Sequence, residues 1–518
     1  MKILPPLLGV VASALLGCGT LRADELLPAD RPIEQVVDHY LDAALKEAGV
    51  TSAPQADDAA ILRRLTLDLN GRIPTTAELQ AYLTDTSPDK RVKLVERLFA
   101  SPAYVRHQVT EFETMFGGNG QGGGKKGRTP TGNLRTYLEN AFGENRGWDR
   151  IFRELMLADE RDAKLKGSAE FLRSRAKDLD RLTTEVSVLF FGVNISCAQC
   201  HDHPLVSDWK QDHYYGMKSF FARINEKSNT LEEKPTGVVK FTPHKGAEKT
   251  APIMFLTGKT VEATEKALRP KLVEIALAAD QRDFFARAIV NRVWYRLFGH
   301  GLVMPLDQMH SENPPSHPEL LQWLARDLAE HGYDLRRLTR GLVLSKAYSR
   351  SSRWDGERVP APRLFAFAPL RPLTPTQLAT SLRLATLDPD SLPAPGEALE
   401  KRIGEIEISA GSLARYFVQP DDGFQVGVGE ALLFSNGDAL LKECLDEGKG
   451  RLIGRLKEIK EPEKLAEQAV RSVMSRSATT EEVAAMAEYL RKRSDRPAAA
   501  TQQIVWALLA SPEFRFNH

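Results

Sequence analysis

The sequence predicts a mainly α-helical protein: two helical domains with at most a small β-hairpin between them. Three observations carry this. Apolar residues recur at helical spacing through several stretches, helix-opening and helix-closing residues bracket them, and segments of strand character are few and short. The 518 residues exceed one ordinary core, and length alone suggests roughly two to four domains.

The chain opens with Lys2 and an apolar run from Ile3 to Leu16. The run is too short to span a bilayer and reads as a signal peptide over residues 1–23. Leu15-Leu16-Gly17-Cys18 has the form of a lipobox, in which Cys18 is lipidated and becomes the mature N-terminus. Ordinary cleavage near Ala23 is the alternative, disfavoured by Leu21 where a small residue is needed. The expectation is an exported protein of the periplasm or cell envelope, meeting a membrane through no more than a lipid anchor at Cys18. No later segment has the ~20 continuous apolar residues a crossing needs.

An N-terminal helical domain is expected over residues 24–230, a linker over 231–265 and a C-terminal helical domain over 266–518. In the first, Ala60 to Leu67 carries apolar residues at helical spacing. In the second, Phe284 to Phe298 repeats the pattern with Phe285, Ile289, Val290, Val293, Trp294 and Leu297. Ser316-His317-Pro318-Glu319 reads as a capping box opening a helix through Glu330, with Gly332 closing it. In the linker, Val238-Val239-Lys240-Phe241 and Pro252-Ile253-Met254-Phe255 are expected to pair as one hairpin.

There is also an internal echo. Thr75-Thr76-Ala77-Glu78-Leu79, Tyr82-Leu83 and Ser101-Pro102 are matched near the C-terminus by Thr479-Thr480-Glu481-Glu482-Val483, Tyr489-Leu490 and Ser511-Pro512. Each set reads as a Thr-capped helix, a loop and a second helix stopped by Ser-Pro: a reused helical hairpin, or else a shared docking surface. The Gly- and Lys-rich segment 117–132 lacks the phosphate-loop pattern. Asn119 stands where the first Gly belongs and Lys126 where Ser or Thr belongs, so it reads as a flexible surface loop.

Lys plus Arg number 70 against 69 Asp plus Glu, a formal net charge of +1. No overall field draws nucleic acid or an anionic membrane. The four cysteines are Cys18, Cys197, Cys200 and Cys444. With Cys18 removed or lipidated, one tight pair and one odd thiol do not make a disulfide framework. Cys444 lies in a helical stretch and is expected to be a small buried hydrophobe.

The chemistry sits in Cys197-Ala198-Gln199-Cys200-His201, the spacing of c-type haem attachment. On a helical turn, residues three and four apart share a face. Both thiols then reach the two vinyl groups, and His201 points at the iron. Haem c held by Cys197, Cys200 and His201 is the primary expectation, with electron transfer or redox sensing as the role. Two alternatives stay open. Cys197, Cys200, His201 and His203 could hold Zn or Fe in a haem-free, hydrolytic site, although four ligands within seven residues make a cramped tetrahedron. A plain Cys197–Cys200 disulfide in a structural or interaction protein is the third reading. For a sixth haem ligand, His213, Met217, His203, His107 and Met254 are candidates. His310, Glu312 and His317 cluster around Pro314-Pro315 and read as a turn entering a helix. There is no Gly-x-Ser-x-Gly elbow, His-Glu-x-x-His or dinucleotide fingerprint, so nothing compels an enzyme. The expected partner is a redox partner protein or another cell-envelope protein.

Arg63-Arg64-Leu65-Thr66-Leu67-Asp68-Leu69-Asn70-Gly71-Arg72-Ile73-Pro74-Thr75 resembles the opening of the planctomycete cytochrome-associated proteins, which carry two adjoining domains of unknown function. Cys197-Ala-Gln-Cys200-His201-Asp202-His203-Pro204 and Asp212-His213-Tyr214-Tyr215 are similar to the same first domain. Asn291-Arg292-Val293-Trp294, Leu297-Phe298-Gly299, the run Asn313 to Leu321 and Ser511-Pro512-Glu513-Phe514 resemble the second. The resemblance implies export, a two-domain layout and association with c-type cytochrome chemistry. Many relatives carry a separate cytochrome domain near the N-terminus, which is not read here. That leaves either the first domain's own motif as haem carrier or a member that works without haem. No substrate or reaction comes with the resemblance.

Overall fold

Asp57 opens the helix Asp58–Asn70 by accepting from the Ala60 amide at 2.8 Å, and Gly71, at φ +69°, closes it. The same local chemistry sets most of the chain. The computed structural model describes residues 26–117, 132–227, 230–420, 430, 434, 437 and 443–518. The expected signal peptide, Cys18 and most of the Gly- and Lys-rich segment lie outside the described residues. The fold is mainly α, with small two-stranded antiparallel sheets. Among the described residues, no helix is long and apolar enough to cross a membrane.

Two hydrophobic clusters form the interior. One runs from Ile33 to Phe365, and at its centre Trp148 stacks on Phe190 (5.4 Å between ring centroids) and Phe285 (6.3 Å). That stack joins the helix Trp148–Leu157 to the helices Leu179–Phe191 and Asp283–Phe298. The apolar set expected in the last of these is buried as the periodicity predicts. The second cluster gathers residues from Leu373 to Phe514, including Cys444, which is 2 % exposed. Leu67 and Ile73 also belong to it.

The helix Asp58–Asn70 therefore serves both clusters: Ile61, Leu62, Leu65 and Leu69 enter the first and Leu67 the second. Every residue from Ile61 to Asn70 is buried, including Arg63, Arg64 and Asp68. Asp68 accepts both prongs of the Arg371 guanidinium (2.8 and 2.7 Å), the Tyr348 hydroxyl (2.7 Å) and the Asn517 amide (2.9 Å). Arg64 donates to the carbonyls of Tyr348, Arg350 and His518, and Arg63 to that of Phe514. The hydrogen bonds of these two buried cations thus go to main-chain oxygens, with Glu513 and Asp68 within electrostatic reach of Arg63 and Arg64.

The internal echo is a structural repeat and extends further upstream than the sequence suggests. Two 13-residue helices, Asp58–Asn70 and Pro462–Met474, each end in a left-handed residue, Gly71 or Ser475. An arginine follows, Arg72 or Arg476, and clamps the glutamate of a complete capping box. Arg72 reaches Glu78 at 2.7 and 2.8 Å; Arg476 reaches Glu482 at 2.8 and 2.7 Å. Each arginine also donates to the next residue's carbonyl, at 3.0 Å in both copies. The surroundings differ. Ile73 is buried in the second cluster, where its counterpart Ser477 is exposed. The repeat therefore reuses one fold element in two different settings.

The Glu78 clamp has a pH signature. Burial alone would push its carboxyl up, but the Arg72 charge and hydrogen bonds hold it at about 2, against an ordinary 4.5. A carboxyl depressed in the folded state stabilises above its unfolded value, and that stability fades as pH falls through 4.5 toward 2. Equilibrium unfolding is expected to show Glu78→Gln less stable at pH 6 by on the order of 3 kcal/mol, with the difference from wild type shrinking as pH falls. An equal gap at pH 6 and pH 3 would remove the clamp from the account.

Two expectations are corrected. Ser316 does not cap the helix Pro318–Glu330: Pro318 takes the first helical position and His317 the cap, while the Ser316 amide turns to the Leu302 carbonyl at 2.7 Å. The helix ends as expected, with Gly332 at φ +64°. Between residues 224 and 261 there is not one hairpin but three, pairing 224–227 with 230–233, 240–241 with 249–250 and 253–254 with 260–261. The segment Val238–Phe241 meets residues 249–251, one step before Pro252. That leaves Ile253-Met254 to pair onward through a turn at Gly258, φ +84°.

Candidate functional site

The helix Leu179–Phe191 is capped by Asp178 and stopped by Gly192 at φ +65°. Val193 and Ile195 then bury their side chains, so the chain emerges at a fixed point. Asn194 Oδ1 accepts from the Ser196 amide (3.1 Å) and hydroxyl (2.7 Å), starting the 3₁₀ turn Ser196–Gln199. Ala198 is the turn's buried anchor. Cys197 lies within this turn, and Cys200 is the residue that closes it. Both thiols are free and exposed.

His201 is exposed, and its Nδ1 lies 2.8 Å from the Asp202 carbonyl. A carbonyl only accepts, so Nδ1 carries the hydrogen and Nε2 carries the lone pair. The next polar residues are engaged differently. Asp202 caps the helix Gln211–Ser219 by accepting from the Gln211 amide at 2.9 Å. His203 Nδ1 accepts from the amides of Leu205 (3.2 Å) and Val206 (3.0 Å), so its hydrogen sits on Nε2. His213 Nδ1 likewise accepts from the Lys210 amide at 3.2 Å. An N–H nitrogen cannot ligate, so these two rings hold turns together.

The other candidates are placed elsewhere. Met217 is fully buried. His107 packs beside Gly71, where an added Cβ would come within 2.7 Å of its ring. Burial and the Arg296 charge hold its imidazole at about 3. Met254 lies in the small sheet packed on Gly216. His317 packs on Phe365 and is pushed down to about 4 by burial. Among the described residues, no group of three or more His, Cys, Asp or Glu is arranged to hold a metal ion. Cys197, Cys200, His201 and His203 are therefore not brought together as a four-ligand set.

Several residues at the motif had no local signal in the sequence. Tyr215 donates to the Gln199 carbonyl at 2.9 Å and stacks on Phe241 at 4.0 Å between ring centroids. From more than a hundred residues away, segment 307–311 lies along the motif's approach. Val193 and Gln308 form a bridge, and the Met309 amide donates to the Gly192 carbonyl at 3.0 Å. The Asn194 amide donates to the Asp307 carbonyl (2.7 Å) and its side-chain amide to the Asp307 carboxylate (3.1 Å). Ser311 donates from its amide and its hydroxyl to Asp208, both at 2.8 Å.

Residues 36–226 match the family model PSCyt2, described as a protein of unknown function (DUF1549). Residues 269–400 match PSD1, a protein of unknown function (DUF1553). The two matches follow one another along the chain in that order. This adjoining order is consistent with the planctomycete cytochrome-associated pair that the motifs resemble. No curated protein and no solved structure matches the chain. The Cys-Ala-Gln-Cys-His turn lies within the PSCyt2 match, and segment 307–311 within the PSD1 match.

Proposed function

We propose that the PSCyt2 motif attaches haem c and that the protein is an exported carrier or sensor of single electrons. The observation that carries this reading is the division of labour within the motif. Cys197 and Cys200 present free, exposed thiols in and at the close of a 3₁₀ turn, and the adjoining exposed His201 has its Nδ1 held by the Asp202 carbonyl. The residues fit the group. Thioether attachment needs two accessible thiols at this spacing, and an axial imidazole needs its other nitrogen anchored, as His201 Nδ1 is. Cys197 and Cys200 would hold haem through their Sγ atoms, and His201 through Nε2. Bound haem would supply reversible one-electron chemistry. Exposure of the motif suits contact with a redox partner protein, and the apolar leader supports export, which attachment outside the cytoplasm requires.

Two other readings rank lower. A four-ligand zinc or iron site loses His203, whose Nδ1 is committed to two backbone amides. A Cys197–Cys200 disulfide is favoured by the close spacing of two exposed thiols, and it makes a different prediction. Full-length protein, expressed where c-type cytochromes mature, is expected to gain the mass of one haem that survives denaturation, together with a Soret band. Cys197→Ala or Cys200→Ala should prevent the doubly attached product. A chain lighter by two hydrogens, with no Soret band, would replace haem by the disulfide. A reduced, haem-free chain would end both readings.

A further inference from the structure

We infer that the PSD1 domain is a working part of the cysteine turn, with Asp307 as its positioning residue. The inference deepens the reading of the Cys-x-x-Cys-His turn as a functional site, and it holds whichever group the thiols take.

The turn has two approaches, and segment 307–311 holds both. On the N-terminal side, Asn194 starts the turn through Oδ1, which accepts from the Ser196 amide and hydroxyl. An asparagine side chain can present its oxygen or its nitrogen in that place. The Asp307 carboxylate accepts from Asn194 Nδ2 at 3.1 Å, so the nitrogen faces Asp307 and the oxygen faces Ser196. The Asn194 amide to the Asp307 carbonyl, at 2.7 Å, ties the same pair through the main chain. Behind them, Arg292, half-buried on the helix Asp283–Phe298, donates to the Val188 carbonyl at 2.7 Å and lies within reach of the Asp307 charge. On the C-terminal side, Asp208 receives two hydrogen bonds from Ser311. Asn313 stiffens the segment by donating to the carbonyls of Met304 (3.2 Å) and Gln308 (2.8 Å).

The consequence is specific. Asp307 touches neither thiol, yet it decides which face of Asn194 meets the first residue of the turn. A PSCyt2 domain without its PSD1 neighbour would keep the two cysteines and lose the device that fixes their spacing.

The test uses the full-length, haem-free protein, so its outcome is independent of whether haem is ever bound. Amide exchange of the peptide spanning 194–201 and site-resolved alkylation of Cys197 and Cys200 by iodoacetamide are compared across variants. Asp307→Ala is expected to speed exchange of that peptide by about tenfold, with the helix Leu179–Phe191 unchanged. Alkylation rates at the two thiols should shift by about threefold, with the two sites no longer in the wild-type ratio. Asp307→Asn retains an acceptor oxygen and is expected to return both readouts to near the wild-type values. If Asp307→Ala does not fold, Ser311→Ala, at an exposed position, should give the same local change on the C-terminal side. Wild-type exchange and alkylation in the variants would overturn the inference. So would a change spread evenly over Leu179–Phe191, which would mark Asp307 as a general stabiliser.

Discussion

Asp68→Ala is expected to lower the free energy of unfolding by about 3–5 kcal/mol, read from denaturant midpoints at neutral pH. The carboxylate is buried and takes four donors: both prongs of Arg371, the Tyr348 hydroxyl and the Asn517 amide. Truncation leaves the Arg371 guanidinium in the interior without its counter-charge, and stranding a buried charge costs more than losing an exposed pair. Asp68→Asn keeps the shape but cannot accept both prongs of the fork, so an intermediate loss is expected. The exposed pair Lys93–Asp89, at 2.8 Å within one helix turn, is the control. Asp89→Ala should move stability far less than Asp68→Ala. If Asp68→Ala were as mild as that control, the four donors would have to find other acceptors, and the centre between the two clusters would be less committed than its geometry implies.

The second large effect is acid sensitivity beginning well above the carboxylate range. His107 is held at about 3 by burial and by Arg296, and His317 and His518 at about 4, with burial the leading cause in each. An imidazole depressed in the folded state costs nothing above its ordinary value of 6.5, where both states are neutral. As pH falls below 6.5 the unfolded chain binds a proton that the folded chain refuses. Each such histidine therefore removes about 1.4 kcal/mol of stability per pH unit until its folded value is reached. The protein should lose stability steeply from pH 6.5 downward, before the Glu78 clamp begins to titrate. His107→Gln is expected to remove one proton's worth of that slope between pH 6 and pH 4.5, measured by urea unfolding across the range. An unchanged slope in the variant would show that His107 gains access to water or a new acceptor when protonated.

What could be read in advance follows the range of the interactions. The capping boxes at Thr75 and Thr479 were legible because their partners, Glu78 and Glu482, stand three residues away. The Cys-x-x-Cys-His turn was legible for the same reason. Ser316-His317-Pro318-Glu319 has the letters of a cap and failed, since Leu302, far along the chain, takes the Ser316 amide. The apolar spacing of Ala60 to Leu67 announced a helix, but not that its arginines are buried. Their acceptors lie at Tyr348, Arg350, Phe514 and His518. Asn194 and Asp307 are unremarkable in sequence and decisive only when the fold joins them. The tautomers that separate His201 from His203 depend on local main-chain groups, a carbonyl at His201 and two amides at His203, and spacing alone treats the two rings as equivalent.

The partners of the helix Asp58–Asn70 also bear on the order of events during synthesis. Apolar contacts within the first cluster can form while the chain is still growing. Asp68, Arg63 and Arg64 cannot complete their bonds until residues 514–518 have been made. Closing loops of such length is slow, because little is gained until the distant ends meet. Until then a helix carrying bare interior charges sits exposed among apolar neighbours, a species prone to misassembly. The final strand, Phe516–Asn517, pairs with Arg371–Pro372 and brings in the last acceptors together. The contacts of residues 514–518 are thus expected to form in a late, all-at-once locking step, and removing those residues should harm folding far more than their small surface would suggest.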